Sequence, residues 1–409
     1  MTAQRHDAHE AALRTIKKLR AAGHVAMLAG GCVRDRLLGL PPKDYDVVTD
    51  ATPARIKKVF ASARQIGAKF GVMLIRKFGH DIEVATFRSD GSYTDGRHPD
   101  VVTFGTDVED ARRRDFTING LFFDPVDERV IDYVDGRADL KACVIRTIGE
   151  PDRRFAEDHL RMLRAVRFAA RLDFTIAPDT MQAIKRLAAH MESISAERVW
   201  IELEMILTDP TRSRGWALLV ETGLIGHMTP LWQRISEEDS AVIARLAALP
   251  HRPVDAALAL AATLCGRTPE AAERICRALR LSNRLSRSVV WMIRSLPLSR
   301  RQDSLEPADL KLLMAQESWP HLLELFRVDL AATGADLEPH ERIRRRAAEI
   351  PTADVSPLPF VTGDDLCDMG VTPSPRMGEI LGAIYRAQLN GRITSRAKAL
   401  AMARKLMDV

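Results

Sequence analysis

Long apolar runs are missing from this 409-residue chain. The longest uncharged apolar stretch, around Ala256 to Leu264, falls well short of the ~20 residues a membrane helix needs, so no membrane association is expected. The N-terminal stretch MTAQRHDAHEAALRTIKKLRAAG is charged from the start and has no apolar core, so it is not expected to act as a secretory signal. Cysteines are few: Cys32, Cys143, Cys265, Cys276 and Cys367 are scattered, odd in number and never spaced Cys-x-x-Cys. That pattern excludes a disulfide framework and a zinc cage, and it reads as reduced thiols in a cytoplasmic protein. No fixed-period repeat and no low-complexity tract stands out. Charge of one sign is scarce as well: 60 Lys and Arg against 55 Asp and Glu leave a net charge of +5, which permits a polyanionic partner without requiring one. What is present is an ordinary soluble balance, 46% apolar and 28% charged, in a chain long enough for roughly two to three domains.

Composition shifts near residue 150. Before it, short β-branched and apolar runs (HVAMLAGG, DYDVVTDATP, FGVMLIRKFGHDIEVATFR, VIDYVDG, CVIRTIG) alternate with Gly, Pro and Asp turns and with short helical stretches, the pattern of an α+β or α/β domain with one small sheet. After it, EDHLRMLRAVRFAARL, PDTMQAIKRLAAHM, SAERVWIELEMIL and RGWALLVETGL place apolar residues at three- and four-residue spacing, predicting amphipathic helices. The polar or proline-rich stretches 298–308 and 350–359 are candidate joints between helical parts.

Three constellations carry chemistry. In HVAMLAGGCVRDRLLGLPPKDYDVVTD (24–50), a strand over 24–29 leads into a tight turn at Gly30-Gly31 and a short helix from Cys32 to Gly39. Paired glycines let backbone N–H groups approach a ligand, and the helix start favours an anion such as phosphate, although a plain turn has the same composition. The run Asp44-Tyr45-Asp46-Val47-Val48 fits a second strand, in which side chains at i and i+2 share a face. Two carboxylates on one face repel unless a cation sits between them, and Mg²⁺ suits oxygen ligands plus substrate phosphates; a solvated turn is the other reading. Glu83, on the next strand, is either a third acidic ligand or a solvated strand residue. In RRRDFTINGL (112–121), Arg113, Arg114, Asp115 and Asn119 are suited to a nucleotide's phosphates and ribose hydroxyls, or to a basic loop capping a helix. Glu157-Asp158-His159-Leu160-Arg161 reads as the opening of a helix, with Asp158 and Arg161 side by side at i, i+3. A carboxylate accepts and a guanidinium donates, which matches the amino-donor and ring-acceptor edge shared by cytosine and adenine and mismatches uracil and guanine. A surface ion pair is the plainer alternative.

Taken together, these residues resemble class II tRNA nucleotidyltransferases, the CCA-adding enzymes, and their relatives the bacterial poly(A) polymerases. The likeness runs in order through LAGGCVRDRLLG with KDYDVVT, RRDFTING, YVDGRADLKACVIRTIG, EDHLRMLRAVRFAARL and ERVWIELEMIL, covering residues 28 to about 207. It continues more weakly through LLVETGLIGHMTPLW and VTGDDLCDMGVTPSPRMGEIL. The resemblance implies an α+β fold: a nucleotidyltransferase head like that of DNA polymerase β over 1–149, with a small mixed sheet. All-α neck (150–215), body (216–300) and tail (301–409) would follow. It implies Mg²⁺ on Asp44 and Asp46 with Glu83 as a helper. Gly30, Gly31 and Arg34 would meet the triphosphate, and Arg114, Asp115 and Asn119 the incoming nucleotide. Asp158 and Arg161 would touch the base, with Glu157 orienting the arginine. The implied activity is template-independent addition of CCA to the 3′ end of tRNA from CTP and ATP, releasing pyrophosphate, with the basic helices HERIRRRAAEI and NGRITSRAKALAMARKL gripping tRNA and no DNA partner expected. Gly120 stands where the family usually has alanine, and PSPRMG replaces its usual Gly-Pro-x-x-Gly.

The resemblance leaves relatives to separate. GAKFGVMLI (67–75) is closer to the CCA-adding form than to the basic stretch of poly(A) polymerases. The segment 88–110 is full length, unlike that of enzymes adding only CC, and offers Arg88, Asp90, Arg97 and Asp107 for switching from CTP to ATP, or else a flexible polar hairpin. Addition of A alone is a further variant. His80-Asp81 lies in the head, so no metal phosphohydrolase activity is expected. A non-catalytic RNA-binding protein is the alternative of another class, and it would have no need of both Asp44 and Asp46.

Overall fold

Short β-branched runs broken by glycine, proline and aspartate become strands in the first third of the chain. The computed structural model describes residues 2–66, 71–91, 102–228, 236–300 and 304–407. Its strands are β1 (Ala26–Ala29), β2 (Asp46–Thr49), β3 (Arg64–Gln65), β4 (Val72–Lys77), β5 (His80–Thr86), β6 (Arg88–Asp90), β7 (Val102–Phe104), β8 (Leu121–Asp124), β9 (Arg129–Asp132), β10 (Val144–Ile145) and β11 (Thr175–Ile176). Seven of them form one mixed sheet in the order β3-β4-β5-β2-β1-β8-β9. β2 lies at its centre, antiparallel to β1 with Ala29 opposite Asp46, and parallel to β5 with Val47 opposite Val84. That register sets Asp46 beside the residue preceding the Gly30 bend and, one position before Val84, beside Glu83.

Helices α1 (Thr2–Ala21), α2 (Gly31–Leu37), α3 (Pro53–Val59), α4 (Asp107–Arg112) and α5 (Gly136–Ala142) attend this sheet. α1 packs against β1, β2 and β5 through Ala11, Ala12, Ile16 and Leu19, all fully buried. Met27, Ala29, Val48, Phe87, Ala111 and Phe122 close a core beneath the strands that carry the acids. α4 starts on a capping box, in which Thr106 and Glu109 exchange side-chain and backbone hydrogen bonds.

Helices α6 (Pro151–Glu157), α7 (Arg161–Leu172), α8 (Pro178–Leu187) and α9 (Ala196–Thr208) follow. The sequence pattern predicts one helix through EDHLRMLRAVRFAARL; the structure has two. Asp158 is extended (φ −156°, ψ 103°), and its carboxylate accepts from Leu160 N–H at 3.1 Å while its carbonyl accepts from Arg161 N–H. Local capture of backbone donors by an aspartate ends one helix and starts the next. Likewise, strand β2 begins at Asp46 and not at Asp44, and one short strand, β11, appears in the helical region because it pairs in parallel with β10.

These parts belong to one compact unit, spanning 1–206 and 214–234; 207–213 and 235–409 make up a second. The second unit's described elements are all helices. Helix Ala256–Leu264 has every residue from Ala257 onward buried, which accounts for the chain's longest apolar run as a core helix. Val361, Leu366, Ile380, Ile384, Ala399 and Ala403 form a separate core near the C-terminus. No described helix is long and apolar enough to cross a membrane.

Candidate active site

A cleft of about 630 Å³ in the first unit gathers Gly30, Gly31, Arg34, Asp44, Asp46, Arg113, Arg114, Asp115, Asn119, Asp158 and Arg161 on one surface. Glu83 and Glu157 are not among its lining residues; Glu83 lies beside Asp46 across the β2–β5 pairing, and Glu157 pairs with Arg161. Three sequence stretches spread over more than a hundred residues of chain therefore meet at one place.

The floor is the bend between β1 and α2. Gly30 sits at φ 72°, ψ −129°, a conformation only glycine adopts readily, and a Cβ there would come within 2.8 Å of Arg114 Nη1. Its N–H is fixed by Leu121 O at 3.0 Å. Arg34, on α2, is buried; it donates to Asp35 Oδ1 through Nε (2.8 Å) and Nη2 (2.7 Å) and to Asn119 Oδ1 through Nη1 (2.7 Å).

At the edge of this floor Asp44 and Asp46 are reached by solvent. The Asp46 carboxyl is nonetheless surrounded by protein on the cleft wall. Loss of solvation, followed by the negative charges of Glu83 and Asp44, pushes its pKa up to about 6, with Arg114 opposing. Among the described residues no group of three His, Cys, Asp or Glu side chains is placed to hold a metal ion, and the effect of Glu83 visible at Asp46 is that of its charge. The donor set fits Mg²⁺ all the same, because that ion is commonly held by one or two carboxylates with the remaining positions left to water and phosphate. The crowding at Asp46 is what a cation would relieve.

The opposite wall is saturated with arginine. Asp115 accepts from Asn119 Nδ2 at 3.0 Å, from its neighbour Phe116 N–H at 2.8 Å, and from Arg164 Nε and Nη2 at 2.8 and 2.7 Å. Burial pushes the Asp115 carboxyl up, but Arg164 and the Asn119 hydrogen bond outweigh it and hold it well below the usual carboxylate range. Asp110, fully buried on α4, anchors Arg113 (2.7 Å) and Arg114 (3.0 Å) and is likewise held low by them against its burial. Gly120 closes the turn after Asn119; an alanine there would bring Cβ to 2.6 Å from Val134 Cγ2.

At the α6–α7 break the partners differ from the sequence expectation. Asp158 and Arg161 both line the cleft, but the break separates them from helical i, i+3 geometry. Asp158 Oδ2 accepts from Arg198 Nη2 at 2.8 Å, and Arg161 Nη1 donates to Glu157 Oε2 at 2.7 Å and to Arg154 O at 3.0 Å. Arg154 also donates to the carbonyls of Arg112 and Arg113, tying this break to the arginine-rich turn.

Several cleft residues went unassigned in the sequence reading. Arg164, Arg167 and Arg171 continue from the assigned Arg161 at three- and four-residue spacing along α7 and all line the cleft. That stripe was visible in RMLRAVRFAAR as the polar counterpart of the buried Met162, Leu163, Val166 and Ala170 face. Glu202, buried on α9, accepts from Arg167 at 2.6 Å, and Arg198 belongs to the same helix; nothing local in ERVWIELEMIL marks either. Of the residues considered for nucleotide switching, Arg88 opens β6 and Asp107 accepts from the Tyr133 hydroxyl at 2.7 Å. Neither lines the cleft. Arg97, the side chain of Asp90 and residues 67–70 lie outside the described residues.

Family models match the chain in three blocks. They are the Poly A polymerase head domain over 26–146, the "Probable RNA and SrmB- binding site of polymerase A" over 173–235, and a tRNA nucleotidyltransferase domain 2 over 252–403. The CCA-adding enzyme of Lactiplantibacillus plantarum is 35% identical, over 96% of this chain and 94% of its own. This chain belongs to the CCA-adding enzyme family. The CCA-adding enzyme of Geobacillus stearothermophilus is 36% identical over 93% of each chain. The crystal structure of the Bacillus stearothermophilus CCA-adding enzyme in complex with CTP superposes with a TM-score of 0.75 at 31% identity, covering 98% of both chains. A Thermotoga maritima CCA-adding enzyme complexed with tRNA shares the fold, with a TM-score of 0.65 at 22% identity. The chain is a nucleotidyltransferase of this family, whose members generally use divalent metals.

Proposed function

We propose that this chain adds CCA to the 3′ end of tRNA, taking CTP and ATP without a nucleic-acid template and releasing pyrophosphate. The observation that carries this reading is the convergence of the Asp44/Asp46 pair, the Gly30 bend and the Asp158/Arg161 pair on one cleft. Asp44 and Asp46 would hold Mg²⁺, with Glu83 raising the negative charge at Asp46. When bound, the ion supplies charge neutralisation at the α-phosphate and a lowered pKa for the tRNA 3′-hydroxyl.

The rest is done by the chain's own groups. Gly30 and Gly31 leave room for the triphosphate, and Arg114, anchored by Asp110, places positive charge beside it. Arg34 is committed to Asp35 and Asn119, so it serves by fixing Asn119 and adding field to the cleft. Asp115 and Asn119, held together and by Arg164, present fixed acceptors and donors to the ribose. Asp158 accepts from the exocyclic amine of cytosine or adenine and Arg161 donates to the ring nitrogen, while Glu157 and Arg198 hold them in place. Uracil or guanine would leave both groups unpaired, and that costs selectivity factors far larger than a lost methyl contact does.

The four-part division into head, neck, body and tail places chemistry in 1–149, base reading in 150–215 and tRNA contacts in 301–409, where basic helices such as Arg396–Met407 supply phosphate contacts. The free cysteines agree with a reducing cytoplasmic location. Incubation with tRNA lacking its 3′ end, CTP, ATP and Mg²⁺ tests the reading at nucleotide resolution. Three added nucleotides support it. Two mean CC addition, one on a CC-ended tRNA alone means A addition, a long ladder means polyadenylation, and none with intact tRNA binding means a non-catalytic binder.

A further inference from the structure

A single layer of chain separates the nucleotide cleft from a second cavity behind it. The segment Pro41–Asp46 is shared between the two: Lys43, Asp44 and Asp46 line the cleft, whereas Pro41, Pro42 and Tyr45 line the second cavity. Helix α2 divides in the same way. Gly31, Arg34 and Asp35 line the cleft, Val33 and Arg36 line the second cavity, and Cys32 lines both. Leu28 and Phe123, cross-strand partners on β1 and β8, complete the far cavity's apolar wall.

We propose that this back cavity is a binding site for a small aromatic anion, and that its occupancy is transmitted through the shared segment to Asp44 and Asp46. The cavity holds about 540 Å³, within the range of small-molecule sites, and its walls are mostly aliphatic, proline and aromatic. The ionisable side chains that mark its ligand are Arg36 and His9; no carboxylate is among the described residues lining it. The Arg36 guanidinium lies 4.4 Å from the Phe123 ring centroid, and the His9 ring lies 5.0 Å from that of Tyr45. A flat ring can stack within this aromatic and proline surround while its anionic group pairs with Arg36, whereas a cation would meet like charge. Leu40, 43% exposed at the rim, leaves an apolar way in. Cys32 in the shared wall is no reactive group: burial raises its thiol to about 11, so it stays neutral at physiological pH.

Coupling rests on the shared segment: Pro41, Pro42 and Tyr45 line the back cavity and Asp44 and Asp46 the cleft, so a ligand that shifts this segment as a whole, and not the Tyr45 ring alone, shifts the two carboxylates, in a place where their separation sets cation binding. This coupling rests on the nucleotidyl-transfer reading of those acids; occupancy of the cavity does not.

The test uses the full-length protein and anilinonaphthalene sulfonate, an aromatic anion whose fluorescence rises in apolar sites. Saturable binding should persist at saturating CTP, weaken about tenfold in Arg36→Glu and weaken also in Leu40→Glu, an exposed rim position that keeps the test valid if the first variant folds poorly. In the tRNA addition assay the probe should lower kcat severalfold at unchanged KM for CTP. Displacement of the probe by CTP would place it in the nucleotide cleft and overturn the proposal. Absence of saturable binding, or binding indifferent to both substitutions, would also overturn it. Probe binding without any change in kcat would refute the coupling. An inactive protein that still binds the probe at this cavity would count against the nucleotidyl-transfer reading, and loss of the probe site in an active enzyme against this inference.

Discussion

Two aspartates facing one cleft are treated oppositely by the fold. Asp46, at the acidic rim, has its pKa pushed up to about 6 by loss of solvation first and then by the charges of Glu83 and Asp44, against Arg114. Asp115, on the arginine wall, is buried yet held far below the usual range by Arg164 and Asn119. The difference separates two kinds of job. A carboxylate whose charge is compensated within the protein is a finished part of the scaffold. One that is desolvated and crowded by other carboxylates would be relieved by a positive charge from outside, the role proposed above for Mg²⁺.

The largest effect that sharpens this contrast is removal of the missing positive charge. Chelation of divalent ions should suppress nucleotide addition by at least about 10³-fold, the scale set by several kcal/mol of transition-state charge stabilisation, with Mg²⁺ restoring it. Full activity in chelator would break the comparison at its acidic end. On the other wall, Asp115→Asn leaves the Arg164 charge underpaired and should lower unfolding free energy by about 3 kcal/mol in denaturant titrations. An unchanged midpoint would show that wall to be less tightly built than its hydrogen bonds indicate.

Arg161→Ala comes next: discrimination of CTP and ATP against UTP and GTP, read as ratios of kcat/KM, should fall by about 10²-fold or more. Unaltered nucleotide choice would move base reading elsewhere.

The two aspartates also predict stability slopes of opposite sign. Asp46, raised from 3.8 to about 6, binds its proton more tightly in the folded state, so through this group stability declines as pH rises across that window in the absence of divalent ions. Asp115, lowered below 3.8, adds stability above that pH, and this is lost as pH falls below it. Relative to the parent, Asp46→Asn should therefore gain stability between pH 4 and 7, and Asp115→Asn should lose it on the alkaline side of 3.8. The smallest effect is at Arg198→Ala, which frees Asp158 at a cost of about 1 kcal/mol in kcat/KM for CTP.

Much of this was legible before the structure. The Gly30-Gly31 bend, the Asp44/Asp46 pair and the turn of Arg114, Asp115 and Asn119 are local patterns, and each carries its own chemistry in its residue types, whereas Glu157 orienting Arg161 was implied by the family resemblance alone. The α+β division near residue 150 followed from a change of hydrophobic period. What escaped depends on pairing across the chain. Asp158 was expected beside Arg161, yet it meets Arg198, 40 residues away, because its carboxylate caps a new helix and so leaves the helical face. The role of the α7 arginine stripe depends likewise on α9, which brings Glu202 against Arg167. The back cavity has no motif at all, since Leu28, Tyr45 and Phe123 are ordinary core-forming residues until β1, β2 and β8 are set side by side.

The most direct test of the central claim is Asp46→Asn assayed for CMP and AMP incorporation into tRNA lacking CCA, with Mg²⁺ present and tRNA binding measured on the same preparation. The account predicts a folded protein that binds tRNA and extends it by no nucleotide. Three nucleotides added at the parent rate would contradict it.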